Sequence, residues 1–260
     1  MAESESILKV RRLSKAFGGL VAVFDLEFSV PRGIIKAIIG PNGAGKTTLF
    51  NLISGIFPSD TGETVFQNRL ITGLKPYQIA SLGISRTFQT VELFKEMTAL
   101  QNIMVGRHVR TKSGILSLGL KLPGSRREER AIREKAEYFL DLVGLSHRAH
   151  EEAGSLPLGE QKLLEVSRAL ATEPELLLLD EPAAGLNETE TESAARLFRK
   201  IRDQGTTILL VEHDMNLVMD ISEEVLVLDY GRKIADDKPE AVRANADVIN
   251  AYLGVELESA

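Results

Sequence analysis

The chain has 260 residues, of which 43% are hydrophobic and 26% charged, so it is long enough to bury a large core as a globular protein. Its net charge of −6 argues against general affinity for nucleic acids, and the absence of cysteine excludes disulfides and thiol catalysis. No stretch approaches the roughly 18 consecutive apolar residues that span a bilayer, and the acidic N-terminus lacks the pattern of a secretory signal.

The N-terminal part predicts an antiparallel section of β-structure. Every second residue over 24–30 is apolar, which predicts a strand whose buried face is formed by Phe24, Leu26, Phe28 and Val30. Residues 7–12 are expected to pair nearby, and residues 63–67 to extend the same section after the turn at 58–62.

Residues 40–47 read GPNGAGKT and follow an apolar run, which is the pattern of a strand that leads through a phosphate-binding P-loop into a helix. Backbone N–H groups and the positive end of the helix dipole point at one place in such a loop. Lys46 supplies a cation for the β- and γ-phosphates, and the Thr47 hydroxyl suits Mg²⁺. The candidate phosphate-binding residues are Gly40, Pro41, Asn42, Gly43, Ala44, Gly45, Lys46, Thr47 and Thr48.

Helical periodicity replaces strand signals over about residues 93–172, most clearly at 131–143 and 161–171. Within it, residues 107–135 carry an excess of Arg and Lys over Glu, which we interpret as a solvated helix surface. Apolar runs at 176–179, 207–211 and 225–228 then predict strands of a parallel sheet that is covered on both faces.

Two adjacent carboxylates end the first of these runs. Asp180 and Glu181 are expected at the carboxyl edge of the sheet, beside the P-loop, in a Walker B arrangement. We predict that Asp180 holds Mg²⁺ through water, and that Glu181 orients the water that attacks the γ-phosphate.

With these motifs in order, the chain resembles the ATP-binding cassette (ABC) ATPases over nearly its whole length. The segment RTFQ at 86–89 looks like the family's Q-loop, which implies Gln89 near Mg²⁺ and in catalysis. The segment EHD at 212–214 looks like the switch region, which implies His213 on the γ-phosphate. Phe17 matches the aromatic residue that stacks on adenine, so the resemblance implies ATP and Mg²⁺ as cofactors.

The segment LPLGEQ at 156–161 occupies the position of the family's signature, normally LSGGQ, and departs from it. Pro157, Leu158 and Glu160 replace Ser, Gly and Gln, whereas Gly159 persists. In the family this segment reaches the nucleotide bound by the other subunit of a head-to-tail dimer. Because Pro lacks an N–H and a hydroxyl, we expect weaker closure. Residues 184–187 likewise end in Asn where the family's D-loop usually ends in Asp.

The resemblance implies an α/β fold with a P-loop NTPase (RecA-like) core, an antiparallel β subdomain and an inserted α-helical subdomain. Residues 1–92 and 173–260 are assigned to the nucleotide-binding core. Residues 93–172 are assigned to the helical subdomain that carries the signature segment. After the Q-loop, a set of apolar residues could form a groove for a short permease helix, with Phe94 or Met97 partly exposed; the set is Val91, Leu93, Phe94, Met97 and Leu100.

The segment PAAGLN after Glu181, the insertion at 107–133 and VINAYLG at 248–254 are similar to the LivG-type ATP-binding subunits of branched-chain amino acid importers. The resemblance implies an ATPase at the cytoplasmic face of the membrane, held there by two transmembrane permease subunits. A second ABC ATPase subunit, in a homodimer or heterodimer, and an extracytoplasmic solute-binding protein complete the implied system. The solute could be a branched-chain or another small amino acid, or another small solute.

Three alternatives stay open. The lipopolysaccharide-export ATPase also ends near Tyr-Leu-Gly but lacks the long insertion. A soluble cassette that acts on DNA or ribosomes usually carries a coiled coil or a second cassette, and neither is in this chain. A regulatory module without hydrolysis would explain the altered signature, but not the intact Lys46, Asp180, Glu181 and His213.

Overall fold

The computed structural model describes residues 5–107 and 123–258 and contains two sheets. The first has the order β2-β1-β4-β5 and is antiparallel. Its strands are β1 (Ser6–Phe17), β2 (Leu20–Pro31), β4 (Thr61–Phe66) and β5 (Arg69–Leu70). The predicted antiparallel section is therefore confirmed.

The predicted inward position of Phe24 is wrong. Leu13 pairs with Leu26 but Lys15 pairs with Val23, so β2 carries one extra residue at this point. Asp25 lies in this bulge with a φ of 47°. A one-residue bulge moves the side chains before it to the other face of the sheet. Val23 is buried as a result, whereas Phe24 is 42% exposed.

The second sheet has the order β10-β9-β3-β8-β7-β6, and among its described strand pairs only β9–β10 is antiparallel. The predicted buried strands are confirmed in β3, β7, β8 and β9. The sequence did not predict β6, which is only three residues long, or β10, which is a mostly charged edge strand. The strands are β3 (Ile35–Ile39), β6 (Ile84–Arg86), β7 (Leu176–Asp180), β8 (Thr207–Val211), β9 (Glu224–Asp229) and β10 (Arg232–Asp237).

Helices cover the second sheet. In the described ranges they are α1 (Lys46–Ile53), α2 (Pro76–Leu82), α3 (Ala99–Arg107), α4 (Pro123–Leu142), α5 (Leu158–Leu170), α6 (Glu188–Asp203), α7 (Met215–Ile221), α8 (Pro239–Arg243) and α9 (Ala246–Glu258). Two 3₁₀ turns lie at Ser146–Arg148 and Ala153–Ser155. None of the helices described is both long and apolar enough to cross a membrane.

The helical segment packs as one layer against the sheet. Helices α3, α4 and α5 contact one another, and α5 also contacts β6 and β7. Buried Leu140 and Leu164 belong to the same hydrophobic cluster as Leu177 and Leu179 of β7. The segment thus shares its core with the sheet, while its assigned limits at residues 93 and 172 stay a prediction.

The basic insertion lies partly outside the described residues, at 108–122. The solvated-surface interpretation is wrong for Arg107, whose side chain is 14% exposed and pairs with Glu173 at 3.2 Å. Its guanidinium also donates to the carbonyl of Ala171, at 2.9 Å, after the end of α5. Arg130, by contrast, is exposed and pairs with Glu134 one turn away on α4.

Candidate active site

The P-loop between β3 and α1 has a backbone that only glycine accommodates at two positions. A Cβ on Gly40 would lie 2.1 Å from the carbonyl oxygen of Leu228, and one on Gly45 would lie 2.3 Å from that of Ala22. Gly45 has a φ of 102° and caps the N-terminus of α1, which begins at Lys46. The free N–H groups of the first turn of α1 therefore face the loop, where an anion would be stabilised.

The turn between β9 and β10 supports the loop from behind. The N–H of Gly231 donates to the carbonyl of Ala44 at 3.0 Å, and the N–H of Phe24 donates to the carbonyl of Gly231 at 2.8 Å. These bonds join the P-loop to both sheets, so the loop is held in shape by residues distant in sequence.

The side chain of Lys46, the first residue of α1, contacts the P-loop that precedes it. Its ammonium donates to the carbonyls of Gly40 at 2.7 Å and Pro41 at 2.9 Å, and the residue is 6% exposed. Burial lowers the pKa of Lys46, while the negative charges of Glu181 and Asp180 act to raise it. Glu181, which follows β7, lines the same cavity as residues 42–48, so the strand end of β7 lies close to the P-loop.

Most of the predicted site residues line a cavity of about 420 Å³ in front of this loop. Residues 42–48, Phe17, Gln89, Glu181 and His213 line it. Phe17 is 41% exposed at the cavity and contacts Phe57 edge-on, with ring centroids 5.3 Å apart. Sequence reasoning missed four further lining residues, which are Leu20, Val21 and Ala22 at the start of β2 and Tyr230 in the turn between β9 and β10. None of them belongs to a recognisable motif, so the sequence carries no local signal that they line a site.

The carboxylate of Glu181 is held between two side chains from separate loops. Gln89 donates to Oε2 from Nε2 at 3.0 Å, and Nε2 of His213 lies 2.8 Å from Oε1. Glu181 has a φ of 50°, a backbone conformation that residues other than Gly, Asn and Asp seldom adopt. Its N–H donates to the carbonyl of Val211 at 2.9 Å. This backbone conformation aims the side chain from the end of β7 into the cavity.

Asp180 is buried behind Glu181 and pairs with a residue that the sequence did not single out. Arg86 donates to Oδ2 of Asp180 at 2.8 Å, and also to Asn51 at 2.7 Å and Ser54 at 2.9 Å on or next to α1. Burial raises the pKa of Asp180, and the hydrogen bond from Arg86 acts to lower it. Arg86 thereby ties the carboxylate to the helix that follows the P-loop.

The residues present fit the predicted Mg²⁺ site. Oδ1 of Asp180 is buried and has no hydrogen-bond partner among the described residues, so it is free to accept from a metal-bound water. Thr47 and Gln89 supply neutral oxygen donors at the cavity, which suit a hard cation. No group of three His, Asp or Glu side chains that could hold a metal occurs in the described ranges, so phosphate and water would supply most ligands.

Glu212 is a second buried carboxylate that sequence reasoning did not single out. It is 3% exposed, accepts from the N–H of Ala183 at 2.7 Å, and accepts from the N–H of His213 at 3.0 Å. Burial raises the pKa of Glu212, while these backbone hydrogen bonds act to lower it. Glu212 thus links the loop after Glu181 to the loop that carries His213.

The signature segment lies outside this cavity. Pro157 is the N-cap of α5, and Leu158 at the helix start is 52% exposed. A Cβ on Gly159 would lie 3.0 Å from the carboxylate of Glu190 on α6. Asn187 caps α6, accepting from the N–H of Glu190 at 3.0 Å, so Asn has a local role at this position.

The parallel sheet, the P-loop and the carboxylates at the adjoining strand end define a P-loop NTPase. A model of the ABC transporter family matches residues 23–184, and one described as branched-chain amino acid ATP-binding cassette transporter matches residues 232–258. The chain therefore belongs to the ABC transporter family of ATP-binding cassettes, and it is an ATPase of that family.

Relatives and solved structures agree with this assignment. The chain is 44% identical over 252 residues to the high-affinity branched-chain amino acid transport ATP-binding protein LivG of Salmonella typhimurium, covering 96% of this chain and 99% of that protein. It is 44% identical, with the same coverage, to BraF of Pseudomonas aeruginosa, which has the same description. A crystal structure of a nucleotide-free ATP-binding cassette from an ABC transporter matches with a TM-score of 0.84 and 34% identity, covering 95% of this chain and 99% of that one.

Proposed function

We propose that the chain is the ATP-hydrolysing subunit of an ABC importer for branched-chain or other small amino acids. The identity of 44% to LivG and BraF, whose names state branched-chain amino acid transport, extends over almost the whole chain and supports this substrate class. The C-terminal match at residues 232–258 supports it independently, because this region lies outside the general cassette match.

The position of the Glu181 carboxylate is the observation that carries the hydrolytic role. The carboxylate faces the P-loop cavity and accepts a hydrogen bond from Gln89. Its Oε1 atom lies 2.8 Å from Nε2 of His213. A carboxylate held in this way can orient and polarise a water for in-line attack on a γ-phosphate. His213 is then suited to contact the γ-phosphate itself.

The remaining residues bind the nucleotide. Lys46 and the N–H groups of residues 42–48 stabilise the phosphates, and Gly40 and Pro41 shape the loop. Phe17 offers a ring for stacking on adenine. Thr47, Gln89 and Asp180 are the residues that would hold Mg²⁺, which when bound neutralises charge on the β- and γ-phosphates.

A second cassette completes the proposed unit, as a homodimer or a heterodimer. Gly159 and the N-terminus of α5 would contact the nucleotide bound by that partner, since they do not line the cavity of their own chain. The exposed Leu158 at the start of this helix is consistent with contact to another subunit.

Two transmembrane permease subunits would hold the chain at the cytoplasmic face of the membrane. Phe94 is 48% exposed and Met97 is 38% exposed beside the Q-loop, which supports docking of a short permease helix there. Leu100 from the same predicted groove is core rather than surface. An extracytoplasmic solute-binding protein would deliver the amino acid to the permeases.

The C-terminal match and the named relatives favour amino-acid import over lipopolysaccharide export and over a soluble cassette that acts on DNA or ribosomes. A module without hydrolysis is disfavoured because Lys46, Glu181 and His213 are all at the cavity.

Reconstitution tests the proposal. The chain is combined with its permeases in proteoliposomes, and uptake of labelled leucine is measured with the solute-binding protein outside and ATP inside. We expect uptake that isoleucine and valine compete for, and none with the Glu181→Gln variant. A purified chain that binds permeases but moves none of these amino acids would contradict the substrate class, and a chain that does not bind permeases would contradict the transport role.

A further inference from the structure

Lys162 is a buried lysine that no motif used above accounts for. It lies on α5, the helix that begins at the signature segment, and it is 8% exposed. Its ammonium donates to the carbonyl of Glu181 at 3.0 Å and to the carbonyl of Ala184. A side chain of the helical segment therefore holds the backbone of the loop that begins with Glu181.

The contact to Glu181 is informative because this backbone is held in an unusual conformation. With a φ of 50°, Glu181 occupies the left-handed region, which persists in such a residue only when its surroundings stabilise it. The N–H of Glu181 is fixed by Val211 and its carbonyl by Lys162. The direction of the side chain, and thus its approach to Gln89 and His213, depends on both bonds.

The same face of α5 also holds the Q-loop. Glu165, one turn after Lys162, accepts from the N–H of Phe88 at 3.4 Å and from that of Glu92 at 3.3 Å. These two residues flank Gln89, whose side chain donates to Glu181. One helix turn thus contacts both loops whose side chains meet over the cavity.

We propose that Lys162 is a positioning residue for ATP hydrolysis, which sets the orientation of Glu181 by holding its carbonyl and that of Ala184. The inference rests on the proposed catalytic role of Glu181. Because Lys162 lies one turn after Gly159, a displacement of the start of α5 is transmitted to the Glu181 backbone through this side chain. Lys162 does not line the P-loop cavity, so we expect the lysine to act on turnover rather than on ATP binding.

The test compares Lys162→Met, which keeps the length but removes the donors, with Lys162→Arg, which keeps a charged donor. Lys135→Met is the matched control, because Lys135 is a half-exposed lysine of the helical segment that pairs only with Glu173 among its described contacts. ATP hydrolysis, the Kd for ATP and the melting temperature are measured for each purified full-length variant, with Glu181→Gln in parallel.

We expect Lys162→Met to lower kcat at least tenfold while the Kd for ATP and the KM stay within about twofold. We expect Lys162→Arg to recover most of the loss, and Lys135→Met to resemble the unaltered chain. A kcat within twofold of the unaltered chain for Lys162→Met would overturn the inference. So would equal losses for the Met and Arg variants, or a parallel loss of ATP binding, since the lysine would then serve only the fold.

The outcome for Glu181→Gln separates the role inferred for Lys162 from the proposed catalytic role of Glu181 on which it rests. If Glu181→Gln hydrolyses ATP at the normal rate, the catalytic role of Glu181 is wrong and the inference falls with it. If Glu181→Gln is inactive while Lys162→Met is fully active, only the role of Lys162 is wrong.

Discussion

Arg86 and Asp180 form a buried ion pair with 2.8 Å between Nη2 and Oδ2, and their side chains are 7% and 1% exposed. Removing one member of a buried pair leaves a charge without compensation, which costs about 3–5 kcal/mol. We therefore expect Arg86→Met to lower the free energy of unfolding by about 3 kcal/mol, measured by urea denaturation. Arg12→Met is the matched control, because the Arg12–Asp25 pair is exposed and should contribute little.

The loss in Arg86→Met should depend on pH. The pKa of Asp180 is already raised from 3.8 by burial, and it rises further once the guanidinium is gone. A carboxyl whose pKa is higher in the folded state contributes stability below its unfolded pKa and loses it as the pH rises through the folded value. The difference between the variant and the unaltered chain should thus grow as the pH rises above the folded pKa of Asp180 in the unaltered chain, because only the variant then continues to lose stability. A difference that shrinks with rising pH would contradict the pairing.

Glu181→Gln should retain ATP binding and lose nearly all turnover. Glutamine keeps the shape of the side chain but cannot act as a base, and a general base contributes about a hundredfold to ten-thousandfold to rate. The measurements are the Kd for ATP by fluorescence and steady-state phosphate release. Hydrolysis at the normal rate would falsify the assignment of Glu181.

Lys46→Ala should weaken nucleotide binding itself. The ammonium is buried in the loop, and hydrogen bonds to charged groups contribute about 1.5–3 kcal/mol, so we expect the Kd for ATP to rise about tenfold to a hundredfold. Lys200→Ala on the exposed face of α6 serves as the control. Equal affinities for both variants would contradict the phosphate-binding role of Lys46.

Pro157→Ser should tighten ATP-driven dimerisation in the Glu181→Gln background. Serine at the N-cap of α5 restores a hydroxyl and an N–H at the helix terminus that would meet the partner's nucleotide. Analytical ultracentrifugation with and without ATP measures the change, and we expect at least a tenfold lower dissociation constant. No tightening would show that the altered signature does not limit closure.

Asn187→Ala should destabilise the chain by about 1 kcal/mol, because Asn187 and Glu190 form a reciprocal capping box at the start of α6. Asn187→Asp keeps the acceptor and should leave the melting temperature nearly unchanged. If both substitutions lower it equally, the capping side chain is not the cause.

The main elements could be predicted because their signals are local. The apolar run before Gly40 and the four leucines before Asp180 are strands of the parallel sheet, as their hydrophobicity indicates. Phe24 was assigned to the wrong face because the bulge at Asp25 depends on how β2 pairs with β1, which alternation alone does not encode.

The sequence by itself determined the strands, the P-loop and the candidate carboxylates, since each is a short pattern whose residues are neighbours along the chain. Only the tertiary structure decided which distant charges lie beside them: Arg86 on Asp180, Glu212 on the backbone of Ala183, and Lys162 on the backbone of Glu181. Isolated Arg, Glu and Lys residues are usually solvated surface, and burial gives them defined partners only when packed elements bring them together.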